Sequence, residues 1–110
     1  MISTVLALML VYAGPNATAE SREAYARCLK DFVRASAEKK MEPAAFDTAV
    51  MSACKDKEML LKSALTSADL AMGLKRAASE KSTSEQISDY LSMAKEDYKA
   101  DFQTASKPQP

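Results

Sequence analysis

Histidine and tryptophan are absent from this chain of 110 residues, and glycine and cysteine occur only twice each. Without an imidazole there is no Ser-His-Asp triad, no histidine base and no His-ligated metal site. Two glycines are too few for a Gly-rich phosphate cradle, and the two cysteines do not form a Cys-x-x-Cys pair. No sign of charge is in excess either, with 15 Lys and Arg against 15 Asp and Glu. Net neutrality removes the usual electrostatic case for nucleic acid or an anionic membrane surface as partner. The length admits one small domain. What these absences leave is a chain that says more about its location and architecture than about any chemistry.

The charges are also missing from one stretch altogether. Val5 to Ala13 is a continuous apolar run, followed by Gly14-Pro15 and the small-x-small triplet Ala17-Thr18-Ala19. A short apolar helix, a breaker and small side chains are what signal peptidase recognises, and the run is far shorter than the ~20 apolar residues of a spanning helix. Residues 1–19 therefore read as a cleaved signal peptide. One feature departs from the pattern, because Ile2-Ser3-Thr4 carries no basic residue and only the terminal amine supplies positive charge. Cleavage would leave Glu20–Pro110, with a helical domain over 20–105 and a disordered tail over 106–110, in a periplasmic or secreted setting. In such an oxidising compartment Cys28 and Cys54 have only one possible pairing, a disulfide.

The remaining sequence is helical in its periodicity, and the fold class expected is all-α. Tyr25, Cys28, Leu29, Phe32 and Val33 repeat at i, i+3, i+4 and i+7 and mark a first helix from Glu20 to Lys40, closed by the cations Lys39 and Lys40. Pro43 suits the first turn of a second helix. From Ala44 to Met72 neither Gly nor Pro occurs, and Phe46, Val50, Cys54, Leu61, Leu65 and Met72 continue an apolar stripe that lapses around Lys57-Glu58. One long central helix to about Ala78 is expected, with a possible restart near Ser67. Ser82-Thr83-Ser84-Glu85 has capping-box spacing and predicts the start of a third helix carrying Ile87, Leu91, Ala94, Tyr98 and Phe102.

The cysteines test this layout. If a tight turn near residues 39–43 joins antiparallel helices, residues whose numbers sum to about 82 lie at equal height, and Cys28 and Cys54 satisfy that rule. Phe32 should then face Val50. The third helix should return along the far half of the long one, with Tyr98 near Leu65 and Leu91 near Met72. Such an elongated arrangement of a disulfide-linked hairpin and a third helix leaves an apolar flank, on which Leu60, Leu70 and Leu74 are the candidate binding residues.

Candidate chemistry is thin. Ser-x-x-Lys occurs at Ser36/Lys39, Ser52/Lys55 and Ser92/Lys95, but Ser-Asp-Asn and Lys-Thr-Gly partners are missing, so these pairs are attributed to a composition rich in Ser and Lys. Met41, Met51, Met59, Met72 and Met93 are spread singly, as gap-fillers of a core rather than as a copper(I) site. Glu96, Asp97 and Asp101 interleave with Lys95 and Lys99, which describes a solvated face and not a calcium loop. Tyr25, Tyr90 and Tyr98 read as core-edge residues with wet hydroxyls. No catalytic residue, metal or cofactor is expected, and the protein reads as a non-enzyme.

The run Tyr25-Ala-Arg-Cys-Leu, the stretch from Phe46 to Ala53-Cys54-Lys55 and the downstream Asp89-Tyr90 and Tyr98 resemble a group of small exported helical proteins common in alphaproteobacteria. Such proteins carry a signal peptide, a Tyr-x-x-Cys helix and an Ala-Cys helix about 25 residues later. The resemblance implies periplasmic location and a disulfide, and no activity. The function expected is thus interaction with another envelope protein, or self-association, as accessory subunit, adaptor or chaperone. The alternative is a small carrier that clasps a lipid or other apolar ligand, using Leu60, Leu61, Leu65, Leu70 and Leu74.

Overall fold

The computed structural model describes residues 15–106, and these form four helices. They are α1 (Pro15–Glu38), α2 (Pro43–Ala53), α3 (Lys55–Ala71) and α4 (Arg76–Ser106). The all-α class is as expected, but four helices stand where three were anticipated. The apolar part of the signal segment, Val5–Ala13, and the tail from Lys107 lie outside the described residues. Residues 17–19, at the expected cleavage point, belong to α1.

Helix α1 starts at Pro15, whose missing N–H is one of the amides that lack a partner in any first turn. It ends in a Schellman turn: Lys40 N–H donates to Ala37 C=O at 3.0 Å and Met41 N–H to Ser36 C=O at 3.1 Å. The left-handed position of that turn is held by Lys40, with φ 55°, where glycine would be the unstrained residue. Pro43 begins α2 as anticipated, behind an extended Glu42.

The expected long central helix is interrupted at a single residue. Cys54, at φ −117° and ψ 35°, is at once the C-cap of α2 and the N-cap of α3. The lapse in the apolar stripe at Lys57-Glu58 is thus the first turn of a new helix, where Asp56 and Glu58 face the positive end of its dipole. Thr66 and Ser67 sit inside α3, which has no restart there. It ends instead in a second Schellman turn, in which Gly73 (φ 90°) donates to Leu70 C=O at 3.1 Å and Leu74 N–H to Asp69 C=O at 3.0 Å. Helix α4 then starts at Arg76, two turns earlier than the capping-box spacing indicates. Ser79 and Thr83 are buried in its first turns rather than serving as caps. Asp69 holds the corner by accepting a hydrogen bond from Ser79 Oγ at 2.8 Å.

Because α3 turns back at Gly73, the register of the last helix differs from expectation. Tyr98 stacks on Phe46 (centroids 4.0 Å apart) rather than approaching Leu65. Phe32 stacks on Phe46 at 5.4 Å, one turn before Val50 on the same buried face of α2. Helices α1 and α4 run parallel and in contact, as the pairs Arg22–Gln86 and Tyr25–Tyr90 show. The α2–α3 pair runs antiparallel to both. Three faces close on one core, formed by Tyr25, Leu29, Phe46, Val50, Leu61 and Leu65 with Ile87, Leu91, Ala94 and Tyr98. Cys28 and Cys54 form a disulfide with Cα atoms 6.0 Å apart, within the usual bridging range. The equal-height rule therefore holds at the cysteines.

Candidate functional site

The surface carries a groove of about 630 Å³ between α1 and α4. It exists because the facing positions are small: Ala26 and Ala37 on α1, Ala94 and Ala100 on α4, with Leu29 and Val33 as its apolar floor. Larger side chains at these positions would close the two helices against each other. Met93 stands exposed beside it.

The lips of the groove carry opposite charges. Lys30 and Arg34 lie one turn apart on α1, and Asp97 and Asp101 lie one turn apart on α4. All four are exposed. Among the described residues the ion pairs are Arg27–Glu23, Lys55–Glu58 and Lys62–Glu58, and none crosses the groove. The acidic face expected to be merely solvated is therefore one wall of a concave, bipolar surface. Sequence periodicity places Asp97 and Asp101 on one helical face, but only the parallel packing of α1 and α4 brings them opposite Lys30 and Arg34.

A second polar cluster is buried. Glu58 is 3 % exposed. Its Oε2 accepts from Lys55 Nζ at 3.1 Å and lies 3.2 Å from Lys62 Nζ, while Oε1 accepts from the Tyr25 hydroxyl at 3.5 Å. Burial alone would raise the Glu58 pKa, but the two ammonium groups outweigh it and hold the carboxyl below its ordinary value. Burial, then the Glu58 charge, pushes the Tyr25 hydroxyl well above the usual phenol range. The cluster joins α1 to α3, and Lys55, Glu58 and Lys62 line a smaller hollow of about 280 Å³ against α4. It does the work of a structural cross-brace.

Tyr98 has a similar part at the other end of the core. Its hydroxyl donates to Ser36 C=O at 3.3 Å and to Met41 C=O, tying α4 to the turn after α1. Burial, then the nearby Glu42 charge, raises its pKa. Tyr25 and Tyr98 are thus fully buried, with hydroxyls bonded inside the protein, and not the core-edge residues expected. Among the described tyrosines only Tyr90 is half-buried.

The other sequence candidates separate cleanly. Leu60, Leu70 and Leu74 are exposed, but Leu61 and Leu65 are used up in the core. Met51, Met59, Met72 and Met93 are exposed rather than gap-fillers, and only Met41 packs on the core. Among the described residues no group of three His, Cys, Asp or Glu side chains could hold a metal ion. None of the Ser-x-x-Lys pairs is joined by a hydrogen bond: Lys55 is drawn to Glu58, and Ser52 donates to Ala49 C=O. No described helix is long and apolar enough to cross a membrane. Comparison with protein-family models, curated proteins and solved structures finds no match to this chain.

Proposed function

We propose that this chain is an exported, non-enzymatic helical protein of the bacterial envelope that works by holding another protein in the groove between α1 and α4. The observation that carries the reading is the bipolar groove itself: an apolar floor with unpaired cations on one lip and unpaired carboxylates on the other. An amphipathic helix satisfies such a surface when its apolar stripe is flanked by acidic residues on one side and basic residues on the other. Export supports the reading through the Cys28–Cys54 bridge, which suits an oxidising compartment.

A carrier of an apolar ligand fits less well. The volume is in the usual ligand range, yet the groove is open along its length and rimmed by four charged side chains. Two of the five leucines that favoured the carrier reading are already buried against protein.

The test is affinity capture from the protein's own envelope fraction with wild type, Ala100→Trp and Met72→Ser. Ala100 is exposed and lines the groove, so a tryptophan there fills the groove without entering the core. A partner retained by wild type and Met72→Ser but lost with Ala100→Trp is the expected result. Identical capture by all three would overturn the assignment, and so would recovery of an apolar small molecule by native mass spectrometry.

A further inference from the structure

Net neutrality conceals a sorting of charge that the fold brings about. Helix α1 runs antiparallel to α3 and parallel to α4, so Pro15, the Met72–Lys75 turn and Arg76 all lie at one end of the bundle. Residues 70–79, which build that end, carry two charges, Lys75 and Arg76, both positive and both exposed. Residues 15–19, which begin α1 at the same end, are Pro-Asn-Ala-Thr-Ala and carry no charged side chain. The flanking carboxylates are Asp69, engaged by the Ser79 hydroxyl at 2.8 Å, and Glu80, exposed one helical turn after Arg76.

The apolar groups of this tip point outward. Met72 is 79 % exposed, and Leu70 and Leu74 are exposed beside it. Gly73, at φ 90°, turns the chain tightly enough to present Met72 and Leu74 on either side of it, and its α-carbon faces open space. In an ordinary Schellman turn the residue after the glycine folds back onto the helix. Here that residue is Leu74, whose counterpart in the turn is the polar Asp69, and it is 41 % exposed.

We infer that this tip docks on an anionic lipid surface, with Leu70, Met72 and Leu74 entering the interface and Lys75 and Arg76 meeting the headgroups. Three exposed apolar side chains followed at once by two cations is the arrangement that an anionic interface rewards. The apolar groups gain from leaving water, and the long basic side chains reach back to phosphate. The inference stands on a different surface from the groove and does not depend on what the groove holds.

The chain has no tryptophan, so a single one reports its own surroundings. Met72→Trp, isolated in the form its host produces, is mixed at low salt with phosphatidylcholine vesicles with and without phosphatidylglycerol. Its emission should shift to the blue on the anionic vesicles and be quenched by brominated acyl chains. Met93→Trp, placed at the groove, should stay at its value in buffer. Adding Lys75→Glu and Arg76→Glu to Met72→Trp should weaken partitioning by about 30-fold, from roughly tenfold or less per cation. Circular dichroism verifies that each variant is folded. An unshifted Met72→Trp, equal binding to neutral vesicles, or a shift that survives charge reversal overturns the inference. So does a shift that requires added envelope protein instead of lipid.

Discussion

The two ends of the bundle are built from different materials. At one end Phe32, Phe46, Tyr98 and Phe102 pack ring against ring, and the Tyr98 hydroxyl pins the turn between α1 and α2. At the other, α3 and α4 bury Leu65, Ser79 and Thr83; each end also buries one hydroxyl without a hydrogen-bond partner, Ser36 at the first and Thr83 at the second. Both ends contain a Schellman turn. In the first, Met41 follows the left-handed residue and packs on the core; in the second, Leu74 follows it and is left 41 % exposed. The same backbone motif thus seals one end and displays a side chain at the other.

Truncation should expose this contrast most strongly. Phe46→Ala removes a fully buried ring stacked between two others and should cost about 3–5 kcal/mol in urea unfolding. Leu70→Ala at the exposed tip should cost less than about 1 kcal/mol. Comparable losses would show that the two ends are equally packed. Next in size is the bridge. Replacing Cys28 and Cys54 by Ser should cost roughly 3 kcal/mol in chain-entropy terms, and unfolding with and without reductant measures it on the wild type.

Tyr98→Phe keeps the ring stack and removes the donor from two carbonyls, Ser36 and Met41. A loss of about 1–2 kcal/mol is expected, with faster amide exchange confined to residues 36–42. The pH dependence separates the ends further. Tyr98 and Tyr25 have raised pKa values, so what they contribute is complete below their ordinary value of 10.0 and is lost as pH climbs through the folded value. Glu58 has a lowered one, so its contribution is complete above 4.5 and is lost as pH falls through the folded value. Base should therefore loosen the α1–α2 turn through Tyr98 and the α1–α3 junction through Tyr25. Acid should loosen the junction of α1 with α3 first, as hydrogen exchange at several pH values would show.

The smallest effect is expected at the left-handed residue of the sealed end. Lys40→Gly relieves a side chain at φ 55° and should gain about 0.5–1 kcal/mol in thermal unfolding. Gly73→Lys should lose a similar amount at the other end, since the same geometry is occupied there without strain. An unchanged midpoint in both variants would mean that neither turn limits stability.

The helical class, Pro43 as a helix start and the Cys28–Cys54 pairing were all legible in the sequence, because each depends on local spacing. The interruption at Cys54 was not. Phe46, Val50, Cys54, Glu58, Leu61 and Leu65 keep helical spacing straight through it, so periodicity sees one element. The acidic first turn at Asp56 and Glu58 was the signal available. Gly73 was the missed stop: it marks the end of α3, and with it the register of α4, more surely than the Ser82–Glu85 spacing marks a start. The groove depended on that register. Its four charges are visible as two i, i+4 pairs, but nothing in one helix reveals which neighbour it will run beside.

One consequence follows from α1 and α4 lying parallel. The polypeptide enters the described fold at one pole, with Pro15, and leaves it at the other, with Ser106. Asp97 is 21 residues along α4 from Arg76, and at 1.5 Å per residue the groove is about 30 Å from that tip. A bundle standing on its tip would hold whatever occupies the groove at a fixed height above the surface beneath, set by the length of a helix rather than by a flexible tether.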